Sequence, residues 1–497
     1  MSGGDQSTAV GSPVEAETTS SARIPLLLTR LVWLLWVGSL GVVTARLLGE
    51  GPWAVAGLVV VDGLTVVMWT VVTFFSGIVH SYSRRYLAGS RDIDRFFVSV
   101  FGFTLVVMTL VAAEHAVLFG AAWLAMGLVM ADLIGYVRGW RQAQTAARVA
   151  RRYFLASTLF VGVAVGTLWW ATGDTTISGL AAAGDAVGTP VQWVALGALL
   201  LAATIQSALV PFHGWLLGSM TAPTPASALM HAGFVNAGGI LLTRFAPLVT
   251  VDPSVMLLVV IVGATSALLG KLLKSVQTDV KRQLGCSTVG QMGFMIVQAG
   301  LGFFGAAITH LVLHGFYKAY HFLSSGEGVE HTSPTPEESP ALGANFPGVV
   351  VALLTGLGGG AVFAVLTGKG TSLDSGLVLT LFVVVPTLHA TWDLARRQSL
   401  PTAVRYLLVP LVGLPAIALY AVVYSVVTTL VADLPVVTAP AELTVVHGVV
   451  VAAFLVAYVA VETGVYRRSR RLYVALVDAS QPPTETLLTA SEEYNEY

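Results

Sequence analysis

Residues 209–244 read LVPFHGWLLGSMTAPTPASALMHAGFVNAGGILLTR, an apolar stretch long enough to cross a bilayer that carries Pro211, Pro223 and Pro225 near its start. Proline lacks the backbone donor and clashes with the preceding helical turn, so these residues interrupt the helix. Thr224 followed by Pro225 has the form of an N-cap with proline at the first helical position, which predicts that a helix restarts there. A helix broken at membrane depth leaves backbone groups that hydrocarbon cannot satisfy. Such breaks persist only where protein or a watery cavity supplies partners, which makes 211–226 a candidate part of a transport path.

The surrounding chain supports that setting. Of its 497 residues 55% are hydrophobic and only 11% charged, with a mean hydropathy of +0.78, whereas roughly a quarter of an ordinary soluble protein is charged. A soluble fold could not hide so much apolar surface. The composition predicts an all-α polytopic membrane protein. Apolar runs of about 20 residues fall near 24–46, 62–81, 96–113, 115–136, 153–172, 190–211, 226–245, 254–272, 284–300, 303–325, 346–367, 374–395, 404–430 and 443–465, giving about 14 spans. Residues 23–466 are thus expected to form one transmembrane domain. Residues 1–22 are polar and read as a disordered tail, 331–340 (HTSPTPEESP) as an exposed loop, and 467–497 as a C-terminal tail.

Orientation follows from where the basic residues fall. With the N-terminus inside, most of the 26 lysines and arginines lie in inner connections: Arg84, Arg85, Arg91 and Arg95; Arg138 to Arg152; Lys271 to Arg282; Arg396 to Arg405; and Arg467 to Arg471. The loops at 173–189 and 431–442 hold Asp174, Asp185, Asp433 and Glu442 but no lysine or arginine, as outer loops should. Both termini are then cytoplasmic. A net charge of −1 excludes a nucleic-acid partner. Cys286 is the only cysteine, which excludes a disulfide, a thiolate zinc site and an iron–sulfur cluster. There is no Walker A motif, and GLGGGA at 356–361 lies inside an apolar run and reads as helix packing rather than dinucleotide binding. No catalytic residue and no cofactor is expected in this chain.

His310, His314, Lys318 and His321 in HLVLHGFYKAYHFLSSG (310–326) follow spacings of 4, 4 and 3, which places them on one helical stripe about 80° wide. A charged lysine at the centre of a span costs about 2.5–3.5 kcal/mol on insertion scales, so such residues usually serve a function. The pattern suits a proton relay, because Lys318 can shed its charge in a dry site and imidazoles titrate near neutrality. Two alternatives stand beside it. Histidines at i and i+4 can chelate zinc, although no carboxylate or thiolate completes the stripe; in the other reading the four groups only hydrogen-bond neighbouring helices. Weaker candidates are His231 after the broken stretch, Asp62 and His80 at the ends of the second run, Glu114 beside His115 at a membrane edge, Asp132 in GLVMADLIGY, and Lys271 and Lys274 near the inner interface.

Three segments carry a family resemblance: 209–244, VQTDVKRQLGCSTVGQMGF (276–294) and 310–326. Together they resemble the antiporter-like membrane subunits of respiratory complex I and of Mrp-type cation/proton antiporters over most of 55–395. The resemblance implies two inverted five-helix repeats with discontinuous helices and a central polar line that moves protons. By motif match, Lys318, His310, His314 and His231 fall on that line, Asp279, Lys281 and Arg282 on a cytoplasmic motif, His80 on a histidine ending an early helix, and Lys369 in VLTGKG on the lysine of a later broken helix. The chain departs from the pattern at Leu124, where the family has a glutamate after tryptophan, and at Gln206, where it has a lysine; neither residue can carry a proton, so the first half of the path lacks these groups unless Asp132, two helical turns beyond Leu124, substitutes for the carboxylate.

Those departures, the wording around 214–239 and the LYVALVDASQPP tail resemble most the membrane subunits of Dab-type inorganic-carbon accumulation systems. That family implies a prokaryotic inner-membrane subunit whose H⁺ or Na⁺ flux drives carbon uptake and hydration on a DabA-type cytoplasmic partner that carries the zinc. The other members of the wider family imply a proton-pumping subunit of a quinone oxidoreductase or of a Na⁺/H⁺ antiporter; complex I subunits carry a long lateral helix for which the tail after 467 is expected to be too short.

Overall fold

The computed structural model describes residues 23–325, 346–396 and 401–486. The expected N-terminal tail and the 331–340 loop lie outside them. The chain opens with helix α1 (Arg23–Leu47), which exposes Leu27, Leu34 and Val37 at the rim of the bundle. A short hairpin of β1 (Trp53–Val55) and β2 (Val59–Val61) pairs Trp53 with Val61. It leads to α2 (Gly63–Tyr86), capped by Asp62, whose carboxylate accepts the Thr65 N–H at 2.9 Å. Then follow α3 (Ile93–Ala112), α4 (Ala116–Ile134), the long α5 (Arg141–Thr172), the short α6 (Ile177–Ala182) and α7 (Thr189–Gln206).

The proline-rich stretch begins where α7 ends. It folds as α8 (Gly214–Gly218), then α9 (Thr224–Ala232), a 3-10 turn at Phe234–Asn236, α10 (Ala237–Arg244) and α11 (Ala246–Val249). Here the structure relocates the expected break. Pro211 and Pro223 belong to the connection between α7 and α9, and Pro225 sits in the first turn of α9, so the prolines shape ends rather than the middle of a span. The interruption inside the span falls at Gly233–Asn236, which contains no proline. There Gly233 N–H still bonds Leu229 O at 2.9 Å, Asn236 N–H turns back to Gly233 O at 3.1 Å, and the Asn236 amide donates to Ala232 O at 2.8 Å. Phe154, Trp215 and Phe234 meet edge to face beside it with ring centroids 4.7–5.8 Å apart. Burial on this scale keeps the freed backbone groups away from lipid.

Helices α12 (Pro253–Ser275) and α13 (Val280–Gly300) form the closest pair in the bundle. A Cβ on Gly263 would stand 2.7 Å from Gly293 O and Val297 N, so only glycine permits this approach. The chain continues through α14 (Phe304–Leu323), α15 (Phe346–Thr367), α16 (Ser375–Arg396), α17 (Thr402–Leu430) and α18 (Val445–Glu462), and ends in α19 (Val465–Arg468) and α20 (Arg470–Ala479). Among the described residues 11 helical segments are long and apolar enough to cross a membrane, counting Thr224–Arg244 as one. The three other expected spans are occupied by α13, α14 and α18; Lys281, Arg282 and several glutamines dilute the first, and His310, His314, Lys318 and His321 the second.

The C-terminal segment is more than a tail. Leu476 and Tyr466 join Leu217, Leu273 and Cys286 in a small apolar cluster at the end of the bundle where α12 ends and α13 begins. His213 Nε2 donates to Ala479 O at 2.9 Å, Arg282 reaches Gln481 Oε1 at 3.3 Å, and the Gln277 amide bonds Ser480 Oγ. Residues 465–486 therefore strap the connection between α7 and α9 to the start of α13.

Candidate functional site

Lys318 on α14 is fully buried, with 0% of its surface exposed. Its ammonium donates to Leu284 O at 2.7 Å, the carbonyl of the first turns of α13. The same carbonyl accepts from Thr288 Oγ1 at 2.9 Å, and Thr288 Oγ1 lies 2.9 Å from Nδ1 of the buried His231 on α9. A hydroxyl has one hydrogen. Since the Thr288 hydrogen points to Leu284 O, His231 must donate from Nδ1, which leaves its Nε2 as a bare acceptor. Phe322 stacks on the His231 imidazole at 4.4 Å and fixes its plane. Three helices thus converge on one carbonyl.

One and two turns further along α14 stand His314 and His310, with their rings stacked at 5.7 Å and 19°. Nε2 of His231, His310 and His314 are all buried without a partner in the protein. Buried polar groups are rarely left so, and each is a place for an ordered water. Imidazoles linked by water can pass a proton along this line, with Lys318 at the end nearest the start of α13. His321 occupies the last turn of α14, half-buried between Tyr317 and Tyr320 at 4.3 and 5.4 Å. Lys274 lies in the last turn of α12. Among the described residues no three His, Cys, Asp or Glu side chains are grouped to hold a metal ion.

Other sequence candidates are placed elsewhere. Asp132 was expected deep in a span; it stands in the last turn of α4, 46% exposed at its side chain, paired with Arg95 at 2.5 Å. The helix ends two residues later, so the carboxylate is spent on an arginine in the first turn of α3, two helical turns away from Leu124. Lys369 was expected in a broken helix. Helix α15 runs unbroken to Thr367, and Lys369 follows it in the loop before α16, its ammonium 5.3 Å from the centre of the Phe303 ring. Glu114 lies between α3 and α4 and accepts from the Ser178 backbone and hydroxyl. His80 is buried in α2, with Nδ1 2.8 Å from Ser76 O and Phe97 against its ring. Asp279 caps α13 by accepting the Arg282 N–H at 2.8 Å, while Lys281 and Arg282 occupy its first turn.

In the first half of the molecule neutral groups stand at the two departures from the family pattern. Trp123 Nε1 donates to Ser157 Oγ at 3.2 Å, and the buried Gln206 amide has no protein partner at either its oxygen or its nitrogen.

Sequence reasoning missed Arg244 at the C-terminal end of α10. Its side chain, 9% exposed, pairs with Asp62 and donates to Thr65 Oγ1 at 2.9 Å and to the Val111 carbonyl. A signal was available: an N-terminus on the inner side would put Arg244 and Arg46 at outer helix ends, where the positive-inside rule disfavours basic residues, and each has a carboxylate, Arg46 meeting Asp433 at 2.8 Å. Burial pushes the Asp62 carboxyl up, but the Arg244 charge and the hydrogen bonds from Arg244 and Thr65 outweigh it and hold the group below its ordinary value. A depressed carboxylate stabilises the fold above the unfolded-state pKa and loses that contribution as pH falls through the folded one. Asp62→Asn should therefore lower the melting temperature at neutral pH, with a cost of about 3–5 kcal/mol for a broken buried pair. Detergent-solubilised protein, followed by tryptophan fluorescence, should show that difference unchanged between pH 8 and 5 and shrinking below about pH 4.

Comparison with known proteins fits this architecture. A family profile described as NADH:quinone oxidoreductase/Mrp antiporter, TM, matches residues 113–339, and one described as NADH-ubiquinone oxidoreductase (complex I), chain 5 N-terminus, matches 55–97. The probable inorganic carbon transporter subunit DabB of Bacillus subtilis is 37% identical over 353 residues, which cover 69% of this chain and 66% of that protein. NADH-quinone oxidoreductase subunit L of Mycobacterium tuberculosis is 38% identical over 276 residues, 54% of this chain and 42% of that one. The chain thus spans between two fifths and two thirds of the length of these relatives. The Mrp complex from a Dietzia species superposes with a TM-score of 0.56 at 22% identity, covering 96% of this chain and 53% of that chain.

Proposed function

Because the chain belongs to the membrane-subunit family shared by NADH:quinone oxidoreductases and Mrp antiporters, we propose that it is the energy-coupling subunit of an inorganic-carbon accumulation complex. In this reading it passes a cation down its gradient, and a zinc-bearing cytoplasmic partner of DabA type takes up and hydrates carbon dioxide. The observation that carries it is the line of His231, Lys318, His314 and His310 in a chain that has Leu124 and Gln206 where the wider family carries a glutamate and a lysine. A single line suits a subunit that drives a partner rather than one that pumps through two. The match to an inorganic carbon transporter subunit also runs over 353 residues, against 276 for the quinone oxidoreductase subunit.

The test is growth. Cells lacking carbonic anhydrase and co-expressing this chain with a DabA-type partner should grow in air. A stable complex that gives no growth would count against the carbon reading, and quinone-dependent proton pumping by the same membranes would favour the oxidoreductase one.

A further inference from the structure

The end of the bundle where α13 finishes and α14 begins holds a set of polar groups that the His–Lys line does not use. Gln298 lies in the last turn of α13 and is 1% exposed, and Tyr424 on α17 is 3% exposed. Thr428 follows Tyr424 by four residues, which puts both on one face of α17. Gln298 Oε1, the Tyr424 hydroxyl and Thr428 Oγ1 are all buried without a hydrogen-bond partner among the described residues. The Tyr424 hydroxyl is turned toward Thr428 and toward Thr438 in the loop after α17, yet closes a hydrogen bond with neither. Water commonly bridges polar groups that stand just beyond direct contact.

These groups continue the α14 stripe. Ala306 lies four residues before His310 and Phe303 seven, so helical spacing places both on the His310 side of α14. Tyr424 packs in one apolar cluster with Ala306 and Phe303. A Cβ on Gly305 would come within 2.7 Å of Thr428 Oγ1, so this hydroxyl lies against the first turn of α14. Gln298 follows Phe294 by one helical turn, and the Phe294 and His310 ring centroids are 5.4 Å apart. Beyond His310, the strip between α13, α14 and α17 therefore carries Gln298 and Tyr424, then Thr428. At its far end Thr428 stands in the last turn of α17 beside the exposed Thr429, and the half-buried Thr438 pairs its backbone with Phe303.

We propose that Gln298, Tyr424 and Thr428 line the continuation of the ion path, a relay of hydroxyls and bridging waters that carries protons between His310 and the surface beside Thr438. Each hydroxyl both donates and accepts, so it takes one proton on its oxygen as it releases another and is unchanged after the passage. Gln298 Oε1 can only accept, and it orients a water. None of the three groups has to ionise at membrane depth, where a charge is costly. The inference rests on the ion-conducting reading above and specifies its route, but it does not depend on what the flux drives.

Two measurements on the full complex test the route. X-ray radiolytic footprinting in isotope-labelled water oxidises side chains through the water held beside them. It should label Tyr424 well above Phe154, which at 1% exposure is as deeply buried but sits among apolar side chains. In vesicles, Tyr424→Phe and Thr428→Val keep the side-chain shapes and remove the hydroxyls. Each should lower proton flux about tenfold per assembled complex, while Thr428→Ser, which keeps a hydroxyl, stays within about twofold of the unsubstituted protein. Labelling of Tyr424 no higher than that of Phe154 overturns the route, as does unchanged flux in the Phe and Val variants or equal flux in the Val and Ser variants. The footprint needs no substitution, so it decides even where a variant fails to assemble. An unsubstituted complex that conducts no protons overturns the ion-conducting reading and this inference with it. A complex that fails to support growth in air, yet conducts protons that these substitutions slow, sinks the carbon reading and leaves the route standing.

Discussion

Lys318→Ala should insert, assemble with its partner and lose proton flux by at least about a hundredfold, the scale of removing an essential proton-transfer group. The expectation of normal assembly comes from the geometry. Deleting the ammonium does not orphan the Leu284 carbonyl, which keeps its bond from Thr288 Oγ1 at 2.9 Å, so the penalty is mainly the vacated volume. Two further variants separate a relay from a strut. Lys318→Met fills much of that volume but cannot carry a proton, and Lys318→Arg keeps the charge but cannot release it, since guanidinium stays protonated in proteins. Both should be as inactive as alanine. Flux assays in vesicles, beside quantitation of the complex, check this; a Met or Arg variant with wild-type flux removes Lys318 from the path.

Thr288→Val is expected to give the next largest effect, a fall in flux of about ten- to a hundredfold with serine restoring it. The Thr288 hydroxyl accepts from His231 and donates to Leu284 O, where Lys318 also donates. Valine has the same shape and neither capacity. It leaves the Nδ1–H of His231 buried and unpartnered, which costs about 1–3 kcal/mol and frees the ring to choose its other tautomer. A purely structural threonine would show the stability loss without the fall in flux per folded complex. Equal flux in the valine and serine variants, normalised to folded protein, would separate His231 from Lys318.

The helices were legible because a span needs about 20 apolar residues, and that length signal survives without any alignment. The α14 stripe was legible for a related reason: spacings of 4, 4 and 3 force residues onto one face whatever surrounds them. What the sequence hid was pairing across distance. Asp62 and Arg244 are 182 positions apart, and nothing local marks one as the other's partner. Asp132 read as isolated because Arg95, its partner, lies 37 positions earlier on another helix. Lys369 was misplaced because a glycine-rich motif fits a break inside a helix and a loop after one equally well. The proline signal misled in a similar way. It is strong at helix ends, while the true interruption at Gly233–Asn236 depends on tertiary burial that no single residue announces.

The ion pair at the C-terminal end of α10 bears on where the interrupted span is held. Arg244 ties that end to α2 through Asp62 and to α3 through the Val111 carbonyl. The interruption at Gly233–Asn236 lies between that anchorage and α9, which carries His231. The span is thus built as a moored post with a jointed arm, and the moored end cannot yield without breaking a buried ion pair. A shift of the His231 imidazole toward or away from Thr288 would bend the joint and leave that pair intact.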